Sequence, residues 1–249
     1  MPRTHAALPR LHVEPPLGKG EVLDLGKEQS LYLASVLRKA VGDEIVLFNG
    51  RDGAWLGRLT STAKKHVTVD LVEQITTQPP CGNLWYGFAP LKTARLDYVI
   101  QKATEMGASV IQPVITRRTQ VSRVQIERMR ANAIEAAEQC EVLNVPEIAA
   151  EIGLEALLAS WTETQGARRL VFADEAAPSG SPLGPLAGLA GRPLGLLIGP
   201  EGGFSEEERV LLLAQSFVVP ISLGPRILRA DTAAVAALAI IQSIIGDWR

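Results

Sequence analysis

The sequence predicts an α/β protein in two parts, a small β-barrel-like domain followed by a larger domain built on a mostly parallel sheet. Three observations predict it. Up to about residue 76 the apolar runs are short and separated by turn residues, with a single helical stretch among them. The segment Gln78-Pro79-Pro80-Cys81-Gly82 then interrupts both patterns. Beyond it, strand-length apolar runs alternate with segments of helical period, the pattern of a sheet covered by helices. The division therefore falls at residues 1–76 and 77–249. The chain has 249 residues, 47% hydrophobic and 21% charged, a folded globular composition. Lys and Arg total 25 against 27 for Asp and Glu, a net charge of -2. Such a balance exerts no global pull on nucleic acid, so any phosphate contact has to come from a local patch.

In the first part the strand candidates are Arg10-Val13, Glu21-Leu23, Glu44-Phe48, Ala54-Thr60 and His66-Val72. Asn49-Gly50 and Asp52-Gly53 tolerate positive φ and place a hairpin between the third and fourth. Leu31, Ala34, Val36 and Leu37 recur at helical spacing and predict a helix over Lys27-Ala40.

In the second part Leu84-Ala89, Val110-Val114, Arg169-Ala173, Leu194-Ile198 and Phe217-Ser222 read as strands. Leu96, Val99, Ile100, Ala103 and Met106 share one face of a helix from Thr93 to Met106, which Gly107 ends. A second helix is expected over Ser122-Cys140, and 178–193 is Gly- and Pro-rich and reads as loop. Ser205 with Glu208 forms a capping box, so a helix starts there. The last helix, Ala233-Ile245, is apolar on most faces but too short, and too interrupted by Gln242 and Ser243, to cross a membrane. Met1 to Arg10 lacks the apolar core of a signal peptide, and the cysteines are Cys81 and Cys140 alone. A cytoplasmic protein without structural metal or disulfides is the expectation.

Two segments carry the chemistry. Leu196-Leu197-Ile198-Gly199-Pro200-Glu201-Gly202-Gly203-Phe204-Ser205 reads as strand, glycine-rich turn and capped helix. Small residues there let the backbone approach a ligand, and free N–H groups at the helix start would attract an anion. It fits neither the dinucleotide fingerprint nor a phosphate loop. A tight turn that needs glycine only for steric reasons explains the spacing too. Ser222-Leu223-Gly224-Pro225-Arg226-Ile227-Leu228-Arg229-Ala230-Asp231-Thr232-Ala233 again leaves a strand, turns, and enters an apolar helix. Its two arginines are expected to pair or to hold an anion. Asp231 or Thr232 could equally be a helix cap. Both segments follow strands, where open α/β sheets place their ligands.

Between Lys92 and Arg130 eight cations (Lys92, Arg95, Lys102, Arg117, Arg118, Arg123, Arg128 and Arg130) stand against Asp97, Glu105 and Glu127. A phosphate-contacting surface and ordinary solvated helix faces both account for that excess. Arg117 and Arg118 fall in a loop, where a structural reason is scarcer. The histidines (His5, His12 and His66) all lie in the first part, so no Ser/His/Asp set can be assembled, and transfer between two bound substrates fits better than hydrolysis.

The two glycine/arginine segments resemble the motifs of SPOUT-class methyltransferases, and within that class the 16S ribosomal RNA uracil-N3 methyltransferases. Lys92 with Arg95, Gln101-Lys102-Ala103-Thr104-Glu105-Met106-Gly107, Glu135-Ala136-Ala137-Glu138-Gln139-Cys140 and Val145-Pro146-Glu147-Ile148 also match, as do Pro9-Arg10-Leu11-His12-Val13, Val36-Leu37-Arg38 and Gly42-Asp43. The resemblance spans nearly the whole chain. Asp231 departs from it, standing where the family usually has Glu, and Val142 and Asn144 replace positions that are often basic.

The resemblance implies a PUA-like N-terminal domain that helps hold RNA and a C-terminal SPOUT-type trefoil-knotted domain. It also implies S-adenosylmethionine as cofactor, a homodimer, and methylation of N3 of U1498 in 16S rRNA on the 30S subunit, with no metal, membrane or DNA involved. Carried onto this chain, the cofactor contacts are Ala173, Gly199, Gly202, Leu223, Gly224, Ile227 and Leu228. Arg229 is the catalytic residue, and Arg10, Arg38, Arg117 and Arg118 contact RNA. A general base is open, with Glu105, Glu138 and Glu201 as candidates if one reaches N3. The alternatives are a methyltransferase of the same class acting on another rRNA or tRNA site, a non-catalytic RNA-binding protein, and an enzyme of nucleotide metabolism.

Overall fold

The computed structural model describes residues 5, 7–63, 66–121, 123–177 and 180–248. The expectations at Ser122, Pro178 and Ser179 lie outside them. The chain divides into two compact units, one made of Met1–Pro80 with Ala137–Val145 and the other of Cys81–Ala136 with Pro146–Arg249.

The N-terminal unit contains β1 (Arg10–His12), β2 (Val22–Asp24), α1 (Lys27–Leu31), β3 (Glu44–Phe48), β4 (Ala54–Ala63) and β5 (His66–Thr76). Its sheet runs β1-β3-β4-β5-β2, with β1 parallel to β3 and the other pairs antiparallel. Because side chains alternate across a strand, β3 serves two cores. Ile45 and Leu47 join Leu11, Leu33 and Val69 on one face, and Val46 and Phe48 join Ala54, Ala137 and Leu143 on the other. That second cluster is why Ala137–Val145 belongs here, although the division at 76/77 would group it with the C-terminal part. Polar contacts secure the same segment: His12 N donates to Glu138 Oε1 at 2.8 Å, and Gln78 Nε2 donates to Asn144 Oδ1 at 2.6 Å. Arg10 pairs with Glu141 at 3.2 Å and its side chain is only 11% exposed, so its charge is engaged inside the unit.

At the expected hairpin Asn49 Oδ1 accepts from the amides of Arg51 and Asp52 and closes the turn between β3 and β4. The helix expected over Lys27-Ala40 stops early. After Leu31 the chain loosens into a π-helical turn, Tyr32–Val36, and Leu37 N donates to Tyr32 O. Arg38 then takes a left-handed φ of 52°, which no continuing helix accommodates.

The C-terminal unit contains β6 (Leu84–Phe88), α2 (Thr93–Glu105), β7 (Val110–Ile115), α3 (Ile126–Cys140, to Ala136 in this unit), β8 (Glu147–Ile148), β9 (Ile152–Gly153) and α4 (Leu154–Gln165). It continues through β10 (Arg169–Ala173), α5 (Leu183–Ala187), β11 (Leu194–Ile198), α6 (Glu206–Leu213), β12 (Val218–Ile221) and α7 (Ala230–Ile245). Its strands are all parallel in the order β12-β10-β11-β6-β7-β8, with β9 also on β7. All five residues of β11 are buried, as an interior strand covered on both faces requires.

On one face Trp161 of α4 is fully buried, edge-on to Trp85 at 5.0 Å and stacked on Phe217 at 5.6 Å. Its indole Nε1 donates to Arg168 O at 3.0 Å, which satisfies the one polar atom that burial would strand. On the other, α7 packs on α2, α5 and β11 through Ala234, Ala237, Leu238 and Ile241.

Further elements differ from expectation, α3 among them, which starts at Ile126. Residues 178–193, expected as loop, hold the short α5, because Leu186 finds a fully buried site. Strands β8 and β9 and helix α4 were not legible in the sequence. Helix α7 starts at Ala230 rather than Ala233, and its N-cap is Arg229, without a side-chain cap. Asp231 Oδ1 accepts only from the next amide, that of Thr232, so neither Asp231 nor Thr232 caps the helix.

Burial pushes the His12 imidazole, edge-on to Phe48, below its ordinary value of 6.5. The unfolded chain therefore binds more protons than the folded one just below that value, so stability is lost as pH falls from about 6.5 toward the depressed folded value. Thermal melts of His12→Gln will show a shallower loss over that window than the parent; parallel curves would refute the assignment.

Candidate functional site

Three parallel strands end level with one another. Ala173 of β10 pairs in register with Ile221 of β12, and Phe172 with Leu197 of β11. Asp174 N donates to Ile221 O at 3.0 Å and extends the alignment by one residue. The segments leaving these ends, 174–177, 199–205 and 222–229, therefore converge. They enclose a cavity of about 370 Å³. That size and place suit a small-molecule ligand at the carboxyl ends of a parallel sheet.

Of the residues expected to hold a ligand, Ala173, Gly199, Leu223, Gly224, Ile227 and Leu228 line this cavity. Ile227 does so from the rim, since it is 87% exposed. Gly202 is not on the wall; Arg118 Nη1 donates to its carbonyl at 2.6 Å, and the Arg118 side chain lines the cavity beside it. Arg229 is exposed and sits between two lining residues, Leu228 and Ala230.

The glycine turn owes its composition to close packing. A Cβ on Gly199 would stand 2.7 Å from Cε2 of Phe204, whose ring is held edge-on to Phe172 at 5.1 Å. Gly203 has φ +68°, and a Cβ there would meet Glu175 Oε1 at 2.1 Å. Gly202 has room, since a Cβ there would stand 3.5 Å from Arg118 Cδ, an ordinary contact.

The turn delivers the chain into α6 through the expected capping box. Ser205 Oγ accepts from Glu208 N at 3.2 Å, and Glu208 Oε2 accepts from Ser205 N at 2.8 Å. The buried Glu208 does more than cap. Its Oε1 accepts from Arg117 N at 2.7 Å and ties loop 116–119 to the glycine turn. The start of α6 is thus occupied by the protein's own groups, with Glu206, Glu207 and Glu208 in its first turn, so the anion expected at this helix start is not supported. Hydrogen bonds from its own amide and from Ser205, with the charge of Arg117, hold Glu207 below the usual carboxylate range.

The arginines of the 222–229 segment are both exposed, so burial does not force them into pairs as the sequence led us to expect. Much of the basic run is compensated. Arg95 pairs with Glu201 at 3.1 Å, Lys102 with Glu105 at 2.6 Å, Arg117 with Glu207 at 3.1 Å and Arg130 with Glu127 at 2.9 Å. Arg128 Nε donates to Asp97 at 2.9 Å and holds that carboxyl below its ordinary range. The exposed pairs among these add little stability, so their cations can change partners at low cost.

The sequence reading passed over the wall formed by Asp174 and Arg209. The Arg209 Nε lies 3.1 Å from both carboxylate oxygens of Asp174, which is 4% exposed, and the contact raises the guanidinium above its ordinary value. A carboxylate at the end of an apolar strand, Phe172-Ala173-Asp174, was the available signal.

The chain matches the model of an RNA methyltransferase domain over residues 77–242 and that of an RNA methyltransferase PUA domain over 25–72. It is 33% identical over 235 residues to the ribosomal RNA small subunit methyltransferase E of Rickettsia conorii, covering 94% of each chain. The chain belongs to the ribosomal RNA small subunit methyltransferase E family. The Synechocystis member is 32% identical, covering 95% of this chain and 78% of its own. A crystal structure of the Neisseria gonorrhoeae member bound to S-adenosyl methionine superposes with TM-score 0.86 at 28% identity, covering 97% of this chain and 100% of the other.

As a methyltransferase E family member the chain is an RNA methyltransferase, with an N-terminal PUA-like domain and a C-terminal SPOUT-type domain whose helices flank the sheet. Among the described residues no group of His, Cys, Asp and Glu could hold a metal ion, and no helix is long and apolar enough to cross a membrane.

The packing separates two glycines that look alike in the sequence. Gly199→Ala will drive the Phe204 ring from its place and weaken small-molecule binding in the cavity by about tenfold, or ~1.4 kcal/mol. Gly202→Ala will change it less than twofold. Calorimetry with S-adenosylmethionine checks both, and equal behaviour of the two variants would refute the distinction.

Proposed function

We propose that this chain transfers the methyl group of S-adenosylmethionine to N3 of U1498 in 16S ribosomal RNA, acting on the 30S subunit in the cytoplasm. The observation that carries this reading is the convergence of the Gly199 turn and the 222–228 segment on one cavity, in a chain of this family.

The cavity fits the methyl donor. Phe172, Ala173, Ile198, Leu223 and Leu228 supply an apolar wall for an adenine ring, and the main chain of Gly224 and Leu228 offers groups to read its edge. Acidic side chains on the same cavity suit a cationic ligand. When bound, the donor supplies an electrophilic methyl group on a sulfonium. The protein then has to align N3 with that methyl group and help N3 shed its proton, a task of positioning and electrostatics. Arg229, exposed and next in the chain to the lining residues Leu228 and Ala230, is the group to supply positive charge as the uracil oxygens gain negative charge.

Arg38, Arg117 and Arg118 contact RNA. Arg38 is exposed, and Arg117 can exchange its exposed partner Glu207 for a phosphate. Arg10 would have to leave Glu141 to take the same role. Two copies of the chain pair through α7, where Ala236, Ile240 and Ile244 form a partly exposed apolar stripe at four-residue spacing.

Incubating the protein and labelled donor with 30S subunits from a strain lacking the gene, then mapping the label, tests the reaction. Label on N3 of a single uridine is expected. Label on another nucleotide, or none on the small subunit, overturns it. Arg229→Ala will lower turnover by about a hundredfold or more, the scale of losing a preorganised charge contact, while donor affinity stays within about threefold. Unchanged turnover would remove Arg229 from the mechanism.

A further inference from the structure

Glu208 is a buried carboxylate whose contacts exceed what its helix needs. It is 3% exposed, and both its oxygens accept hydrogen bonds. Oε2 accepts from Ser205 N at 2.8 Å and completes the capping box of α6, which requires no further partner. Oε1 accepts instead from Arg117 N at 2.7 Å, a residue 91 positions earlier in the chain. A single buried group thus joins the start of α6, and with it the glycine turn, to loop 116–119. That loop closes on itself as well, since Thr116 N donates to Thr119 Oγ1 at 2.9 Å.

The side chains of the loop are held differently from its backbone. Arg117 Nη1 lies 3.1 Å from Glu207 Oε2, and both groups are exposed. Arg118 Nη1 donates to Gly202 O at 2.6 Å, again at the surface. Such contacts exchange for others at low cost. Releasing the Arg117 amide is costlier, because it leaves a buried carboxylate oxygen without its partner. The two guanidinium groups are therefore free to turn toward phosphates while the backbone that carries them stays fixed to the donor-facing turn. Little ordering of this loop remains to be done when RNA arrives.

We propose that Glu208 is a positioning residue for the RNA substrate. Through the Arg117 amide it fixes loop 116–119 against the glycine turn, so that Arg117 and Arg118 grip phosphates at a set distance from the methyl donor. This rests on the reading of those two arginines as RNA contacts and deepens it, since it names the group that places them. Glu208 itself touches neither substrate. Its effect on the reaction passes entirely through the loop, and that separates it from a residue that merely caps α6.

Glu208→Gln keeps the size of the side chain but offers one acceptor oxygen, enough for the nearby Ser205 amide and not for Arg117 as well. It should weaken binding of 30S subunits by about tenfold and leave the affinity for S-adenosylmethionine, read by calorimetry, within about threefold. In a protein that already carries Arg117→Ala and Arg118→Ala, the same substitution should change 30S binding by less than about twofold, because no arginine is left for it to place. An equal loss for donor and 30S subunits, unchanged 30S binding, or an undiminished loss in the background lacking both arginines overturns the proposal. Hydrogen exchange on the parent protein checks the link without a substitution at Glu208. The Arg117 amide will be protected, and exchange at the rate of a free loop amide overturns the proposal too. If Arg117→Ala with Arg118→Ala leaves 30S binding by the parent unchanged, the RNA reading of the loop falls together with this proposal, a result distinct from failure of Glu208→Gln alone.

Discussion

The site depends on the common level at which β11, β10 and β12 end. Parallel strands in register release their chains at the same height, and the residues beyond them must satisfy their backbone groups without a ladder to pair with. Here Asp174 prolongs the alignment by bonding to Ile221, and Glu208 collects the amides of Ser205 and Arg117. The loops are consequently held by specific polar contacts rather than left to wander. A shift of one residue in the β10–β12 register would exchange the inward and outward faces of a strand and separate the two motif-bearing segments.

Electrostatics adds a second layer to that scaffold. A chain of net charge -2 cannot rely on long-range attraction to RNA, and most cations between Lys92 and Arg130 are matched to nearby carboxylates. This internal matching keeps the surface near neutrality while leaving particular groups uncommitted. Arg10 illustrates the opposite regime, since a guanidinium only 11% exposed and paired with Glu141 contributes to cohesion of its own unit. Buried and exposed arginines in this protein therefore perform different work, and their place in the sequence does not reveal which.

Much of the candidate site is legible in the sequence. The capping box at Ser205 and Glu208 was readable because both its partners lie within one helical turn. The strands Arg169–Ala173 and Leu194–Ile198 were readable because interior parallel strands are short, uninterrupted apolar runs. The π-helical turn at Tyr32–Val36 was not, since its apolar spacing fits a helix and the left-handed Arg38 carries no local sign. Helix α4 escaped for a related reason. Trp161 anchors it through contacts with Trp85 and Phe217, distant residues that no window along the chain contains.

The sequence by itself determined the α/β class, the two motif-bearing turns after strands, and the glycine and arginine chemistry they bring. These are local properties, set by period, by φ and by the size of a side chain. Only the tertiary structure decided which turns share a cavity, that Ala137–Val145 packs with the N-terminal strands, and which charges are left without partners. Those outcomes follow from strand order and register, which join residues far apart in the chain, and from burial, which decides whether a charged group must be satisfied from within or can await a ligand.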